Sequence, residues 1–295
     1  DNPCSYYTFA NYNSSPMRKL TIGMVVFDDY DGLYFTIQAI RMYHREVLED
    51  IEFVVINNNP NSKSGEASKA FVQSGWIKEP IQYFEDDNSM GTATRTKIFD
   101  YAKTPYVLVM DSHVLLEAGC LKHLIDFFDA GKDEGNLLQG PLLHDDFELA
   151  GSHFEPVWRS GMYGIWAKDE RINSEESFEI PGQGLGVFAC RKDSWLGFNK
   201  YHKGFGSEES TLHEKFRQAG RKTLCLSEMK WIHRFSRPNG IPYPNKYEDR
   251  VKNYFHNFLE LDMPVFEIIE HFKTLGLEEK TLRDWLNQVI SELHV

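Results

Sequence analysis

"VLVMDSHVLL", residues 107–116, runs apolar, breaks at Asp111-Ser112-His113 and turns apolar again. Four apolar residues in succession read as a strand buried on both faces, the pattern of a parallel sheet covered by helices. A carboxylate at the end of such a strand is costly unless it is hydrogen-bonded, ion-paired or bound to a metal. Side chains two positions apart on extended backbone point the same way, so Asp111 and His113 can converge on one point. One oxygen and one nitrogen donor suit Mn2+ or a similar borderline cation, with a third ligand from elsewhere. The competing reading makes Asp111 a helix cap and His113 an ordinary hydrogen-bonded histidine. The stretch alone leaves both open.

Its neighbours decide the fold class. Upstream, residues 19–27 (KLTIGMVVF), 51–57 (IEFVVIN) and 81–85 (IQYFE) are further strand signals. The first two end in the turn formers Asp28-Asp29 and Asn57-Asn58-Asn59-Pro60. Residues 33–44 carry apolar side chains at helical spacing, and residues 91–102 read as another helix. This alternation implies crossover connections and a mainly parallel α/β sheet. Ligands of such sheets bind beyond the carboxyl ends of the strands, where Asp111 lies. Downstream, residues 120–131 read as a helix, 136–143 as a strand, and 185–198 as a strand running into a helix. Residues 210–220 read as a helix stopped by Gly220, and 222–227 and 229–235 as strands. The polar, aromatic and Gly-rich stretch 144–183 has weak periodicity and reads as irregular structure over the sheet edge. From 245 onward the pattern is helical, with Pro264 at a helix start and Gly276 past a helix end.

With 41% hydrophobic and 26% charged residues in 295, the composition is that of a globular chain with a full core. No apolar stretch approaches membrane-spanning length, and the start lacks a basic region followed by an apolar one, so no membrane role and a cytoplasmic location are expected. Cys4, Cys120, Cys190 and Cys225 form no CxxC pair, and the three in apolar contexts read as small buried hydrophobes in a reducing compartment. Asn13-Ser14-Ser15 matches the glycosylation sequon, but one sequon in a polar tail says little. A net charge of −12 argues against wrapping nucleic acid with the whole surface. Residues 191–237 nevertheless hold 11 Lys/Arg and 5 Asp/Glu, a local +6 that leaves −18 for the rest. That segment is either a solvated basic face or the seat of an anionic ligand, with Lys200, Lys203 and Arg237 as its candidates.

The order strand 19–27, strand 51–57, helix 91–102 and Asp-x-His strand end resembles GT-A glycosyltransferases. In those enzymes an Asp-x-Asp or Asp-x-His motif binds the metal that holds the donor diphosphate. Residues 181–237 resemble one continuous block of the polypeptide N-acetylgalactosaminyltransferases and related family-2-type enzymes. The matching pieces are the Gly-rich strand Gly182 to Ala189, the turn Phe205-Gly206-Ser207-Glu208-Glu209, the helix to Gly220, and His233-Arg234. The likeness covers roughly residues 19–260. Glu208-Glu209 departs from the Glu-Asn or Glu-Asp of many relatives. The resemblance implies a GT-A fold with a tail (1–17), a catalytic domain (18–240, its nucleotide-sugar half to about 117) and a C-terminal helical extension (241–295).

It also implies site residues. Asp111, His113 and His233 would bind Mn2+ (or Mg2+); the lesser alternative for His233, beside Trp231 and Phe235, is a histidine packed in the core. Phe27, Asp29, Asn57, Arg95, Asp111, Ser112 and Gly184 would hold a nucleotide-diphosphate sugar, UDP-linked by expectation. Asn57 and Asp29 read equally well as a turn former and a loop residue, and Arg95 as a solvated arginine. Glu208 and Glu209 are the catalytic candidates, one acting as general base in an inverting enzyme. Acids at a helix start are also explained by the helix dipole. The acceptor is open among glycan, protein, metabolite and modified DNA. Two other functions compete: a non-catalytic nucleotide-sugar binder, and a non-haem iron oxygenase with two His and one carboxylate. The oxygenase order is usually His-x-Asp on a β-barrel, the reverse of what stands here.

Overall fold

The computed structural model describes residues 16–88 and 90–295; Cys4, the sequon at Asn13 and most of the expected tail lie outside them. The apolar runs form β1 (Leu20–Val26), β2 (Ile51–Asn57), β3 (Ile81–Glu85) and β4 (Tyr106–Met110). These four pair in parallel in the order β4-β1-β2-β3. Every residue of β2 and β4 is buried, because helices cover both faces. The covering helices include α1 (Tyr30–Tyr43), α2 (Lys63–Val72), α3 (Thr96–Tyr101) and α4 (Cys120–Asp129). α2 is not among the expected elements; Ser62 caps it by accepting a hydrogen bond from the Gly65 amide.

Beyond β4 the chain builds β5 (Val114–Leu116), β6 (Leu137–Gln139), β7 (Leu142–Leu143), β8 (Leu149–Gly151), β9 (His153–Arg159), β10 (Met162–Ala167), β11 (Ser177–Glu179) and β12 (Val187–Arg191). Next come α5 (Glu208–Gln218), β13 (Thr223–Leu226), β14 (Trp231–His233), α6 (Tyr247–Glu260), α7 (Phe266–Thr274) and α8 (Glu279–Glu292). The central eight-stranded sheet runs β11-β13-β6-β12-β4-β1-β2-β3, with β12 antiparallel beside β4. A smaller sheet, β5-β14-β7-β8, carries the chain back over the end of β4.

Two expectations are corrected. Residues 144–183 are not irregular: they hold β8, the β9–β10 hairpin and β11. After β12 no α-helix follows; a single 3-10 turn at Lys192–Ser194 leads into irregular chain. Trp195 fixes that path by stacking on Phe99 at 4.1 Å and donating to Thr96 Oγ1 at 2.8 Å. The C-terminal helices are tied to the chain before residue 240. Asn253 and Asn257 of α6 donate to Gly206 O and Ser207 Oγ, and α6–α8 share a core flanked by Trp158 and Tyr163 of the hairpin.

One glycine sets the spacing between the sheet and its cover. A Cβ on Gly23 of β1 would stand 2.1 Å from Ile98 Cγ2 of α3, and both residues are fully enclosed. Gly23→Ala should therefore destabilise the fold by about 1–3 kcal/mol through overpacking, read by denaturant unfolding. Combined with Ile98→Ala, it should cost less than the sum of the two single changes. Simple additivity would show that the contact is not what limits the site.

Candidate active site

β4 ends at Met110, and the Asp111 amide donates to Gly186 O of the neighbouring segment at 2.9 Å. The next two residues form a turn rather than extended strand, so Asp111 and His113 converge through that turn and not through strand alternation. Asp29, just before α1, holds it. One carboxylate oxygen accepts from Ser112 Oγ at 2.8 Å and His113 Nδ1 at 2.7 Å; the other accepts from Arg234 Nη2 at 2.7 Å. Gly32 allows this approach, since a Cβ there would come within 2.6 Å of Ser112 O. Thr36 Oγ1 adds donations to Ser112 O and Val114 O. Burial alone would raise the Asp29 carboxyl, but His113 and Arg234 outweigh it and hold it well below the usual carboxylate range.

His233 arrives from far along the chain. β14 pairs antiparallel with β5, placing His233 opposite Val114, and the Arg234 amide donates to His113 O at 3.2 Å. The His233 Nε2 atom lies 3.1 Å from Asp111 Oδ2 and 3.2 Å from His113 Nε2. Asp111, His113 and His233 each offer a ligand atom, and these atoms lie within 4.8 Å of one another. Burial pushes the Asp111 carboxyl up, yet the two imidazoles lower it overall. The donor set fits a borderline divalent cation: Nδ1 of His113 is tied back to a carboxylate while Nε2 faces the cleft. Arg237 Nη2 stands 3.0 Å from that same Nε2.

The cluster opens into a cleft of about 970 Å³. Phe27, Asn58, Asn59 and Asn88 line the end nearest β1–β3, and Phe154, Met162 and Trp166 of the hairpin line the other. Gly184 and Gly186 make room for aromatics: a Cβ on Gly186 would come within 2.7 Å of Trp231. Phe27, Asp29, Arg95, Asp111, Ser112, His113, Gly184, Glu208, Glu209 and His233 all reach this cleft. Asn57 does not. It is fully buried, donates to Gly65 O and Tyr83 Oη, and receives the Asn59 amide, so it builds the turn after β2. Asp29 and Arg95 touch the cleft but spend their hydrogen bonds within the protein. Arg95 donates to Thr92 O, Leu185 O and Glu208 Oε1.

Glu208 and Glu209 open α5 after a turn with positive φ at Gly206 and Ser207. Glu208 is 3% exposed; burial opposes its charge, but His202 and Arg95 keep it ionised well below the usual range. Glu209 faces the cleft, and burial followed by the charge of Glu208 pushes it up to about 7. Of the basic segment, Arg191, Lys215 and Arg217 are paired with Asp133, Glu260 and Glu214. Lys203 and Arg237 line the cleft, and Lys200 instead sits over the Tyr201 ring. Reading the sequence missed Asn58, Asn59, Tyr243 and the hairpin wall. The hairpin had a signal, Ser160-Gly161 between two aromatic-rich runs.

The model of Glycosyl transferase family 2 matches residues 21–164. No curated protein matches by sequence. Among solved structures, the chain resembles GalNAc-T7 with UDP, GalNAc and Mn2+ (TM-score 0.66, 16% identity, 82% of this chain and 48% of that one). It also resembles S. aureus TarS in complex with UDP-GlcNAc (TM-score 0.54, 13% identity, 86% and 70%). A third is the mannosyltransferase PcManGT from Pyrobaculum calidifontis with GDP-Man and Mn2+ (TM-score 0.52, 11% identity, 94% and 76%). The chain spans about half the length of the GalNAc-T7 structure. At these identities the likeness shows the fold, which is GT-A and not the barrel of an oxygenase. No helix among the described residues is long and apolar enough to cross a membrane, and Cys120, Cys190 and Cys225 are free and buried.

The irregular strap after β14 lies across the cleft. Tyr243 stacks on Phe205 at 5.2 Å, with Arg237 over Tyr243 and Arg250 over Phe205. Tyr243→Ala should loosen the strap and speed tryptic cleavage after Arg234 and Lys246 several-fold, followed by mass spectrometry; Arg237 precedes Pro238 and resists. Unchanged cleavage rates would mean that the stack does not hold the strap.

Proposed function

We propose, from the premise that the chain is a glycosyltransferase of GT-A fold, that it moves a sugar from a UDP-linked donor to an acceptor hydroxyl with inversion. The reading gives Asp111, His113 and His233 to a divalent cation, Mn2+ before Mg2+ because two of the donors are imidazole nitrogens. The observation that carries it is the convergence of those three ligand atoms, within 4.8 Å, in the same cleft as Glu209. When bound, the cation would offset the charge that grows on the diphosphate as the sugar leaves. His113 and His233 would supply it their Nε2 atoms, and Asp29, 2.7 Å from Nδ1 of His113, favours the tautomer that carries the proton there.

The remaining steps fall to the chain's own residues. Phe27 offers a flat face to a base, and Asn58 and Asn59, whose amide nitrogens donate to Asp86 O and the Asp28 carboxylate, offer their Oδ1 atoms as acceptors to a base or ribose. Glu209 takes the proton of the acceptor hydroxyl as its oxygen bonds to the anomeric carbon and the bond to the diphosphate breaks. A carboxylate near 7 suits that task at physiological pH, whereas Glu208, paired with Arg95 and facing His202, holds the turn. Arg237, whose Nη2 stands 3.0 Å from His113 Nε2, would have to yield that atom to a cation; its guanidinium lines the cleft, where it can meet phosphate oxygens.

Calorimetry is the direct test. UDP should bind in Mn2+ and only weakly without it, and His233→Ala should weaken the metal-dependent binding by about 10-fold or more. Equal binding with and without metal would remove the cation from the reading. Once a donor is found, kcat/KM should rise with pH through about 7, as Glu209 loses its proton, and level off above. Glu209→Gln should lower kcat by about 10² to 10⁴ while donor binding persists. Full activity in that variant would pass the base role elsewhere.

A further inference from the structure

One buried titratable side chain has no part in the scheme so far. His202 is 2% exposed and lies between the glutamate turn and the 3-10 segment Gly91–Arg95. Its Nδ1 stands 3.1 Å from Met90 O and its Nε2 3.0 Å from Gly206 O. Nε2 is also 3.4 Å from Glu208 Oε2. Two carbonyls and a carboxylate accept hydrogen bonds and donate none. A neutral imidazole has one N–H, so one of its nitrogens would face a carbonyl lone pair to lone pair; the imidazolium satisfies both sides.

Glu208 shows the same need from its own side. Its Oε1 takes the guanidinium of Arg95 at 2.8 Å, while Oε2 is buried without a hydrogen-bond partner and faces His202 Nε2 at 3.4 Å. A buried carboxylate in that position calls for a second positive charge. We infer that His202 is a positioning residue that works as an imidazolium: with Arg95 it clamps Glu208 as an anion, fixing the turn that presents Glu209 to the cleft. The kinetic part of this inference rests on the base role given to Glu209; the charge state of His202 does not.

Every element packed against His202 fits the assignment. α5 contributes Glu208, the 3-10 segment contributes Arg95 through Glu208, and α6 contributes Asn253, which donates to Gly206 O. Two groups oppose the charge, Lys203 next along the chain and His256 of α6; His256 is turned toward Glu292 at 3.1 Å, stacks on Tyr201 and is held below its usual pKa by burial. Burial also opposes a charge on His202, and the contact with Glu208 outweighs it, so its pKa is raised.

The sign of the effect on Glu209 follows. Burial and then the Glu208 anion raise Glu209, and Arg95 and Arg250 partly offset them; a charge on His202, beside Glu208, adds to that offset. Taking the charge from His202 should raise Glu209 further, and neutralising Glu208 should lower it.

Long-range ¹⁵N–¹H spectra of the histidine rings in the intact protein test the charge directly, with His202 identified by the signal lost in His202→Gln. At about pH 8, well above the pKa of a free imidazole, both ring nitrogens of His202 should still carry protons. A neutral tautomer there overturns the inference, whatever Glu209 does. In the rate assay, His202→Gln should move the acidic limb of kcat/KM up by roughly half a pH unit, and Glu208→Gln should move it down. A fall in rate in both folded variants with no movement of the limb would reduce His202 to packing and overturn the positioning role.

Discussion

The buried carboxylate of Asp29 holds three distant pieces of chain at one point. It joins the start of α1, the turn after β4 and the chain leaving β14, through Ser112, His113 and Arg234. Ion pairs taken out of water add little net stability, but they penalise every arrangement that leaves one member unpaired. Asp29 therefore acts on geometry more than on stability. With Nδ1 of His113 committed, only Nε2 can face the cleft, and His233 and Asp111 meet it there. The position of the cluster depends on this contact, and the contact depends on Gly32 having no side chain.

How legible this was varies by residue, for physical reasons. β1, β2 and β4 could be read because strands buried on both faces are uniformly apolar. Asp111 and His113 stood out as polar breaks in such a run, and His233 through the resemblance of the block around it. Asn57 reads both ways because a polar residue after a strand serves the backbone as readily as a ligand, and the strand itself does not say which. Here Asn57 closes the turn, and its neighbours Asn58 and Asn59 reach the cleft. The β9–β10 hairpin escaped for the opposite reason. It is half-exposed on β9 and aromatic on both faces, so it lacks the clean alternation that marks a strand.

Glu208 and Glu209 show how far adjacent residues can differ. Successive side chains on a helix diverge by roughly 100°, so a turn that aims one at the cleft aims the other inward. Positive φ at Gly204, Gly206 and Ser207 sets that aim before α5 begins. Composition marks both only as acids at a helix start; the partners that separate them, Arg95 and His202, come from other parts of the chain.

The C-terminal helices belong to the same construction. Asn253 donates to Lys203 O and Gly206 O, and Asn257 to Ser207 Oγ, so α6 carries the backbone of the glutamate turn. The core of α6–α8 receives Trp158 and Tyr163, and Tyr254 Oη accepts the Tyr163 amide at 2.8 Å, so it also supports the hairpin wall. Arg250 of α6 covers Phe205, on which Tyr243 of the strap stacks. One helix thus links the wall, the turn and the strap, and a shift of α6 would move all three against the cluster held by Asp29. The cleft has two sides with separate anchors: a carboxylate fixes the histidines, and a helix of amides and aromatics fixes what faces them.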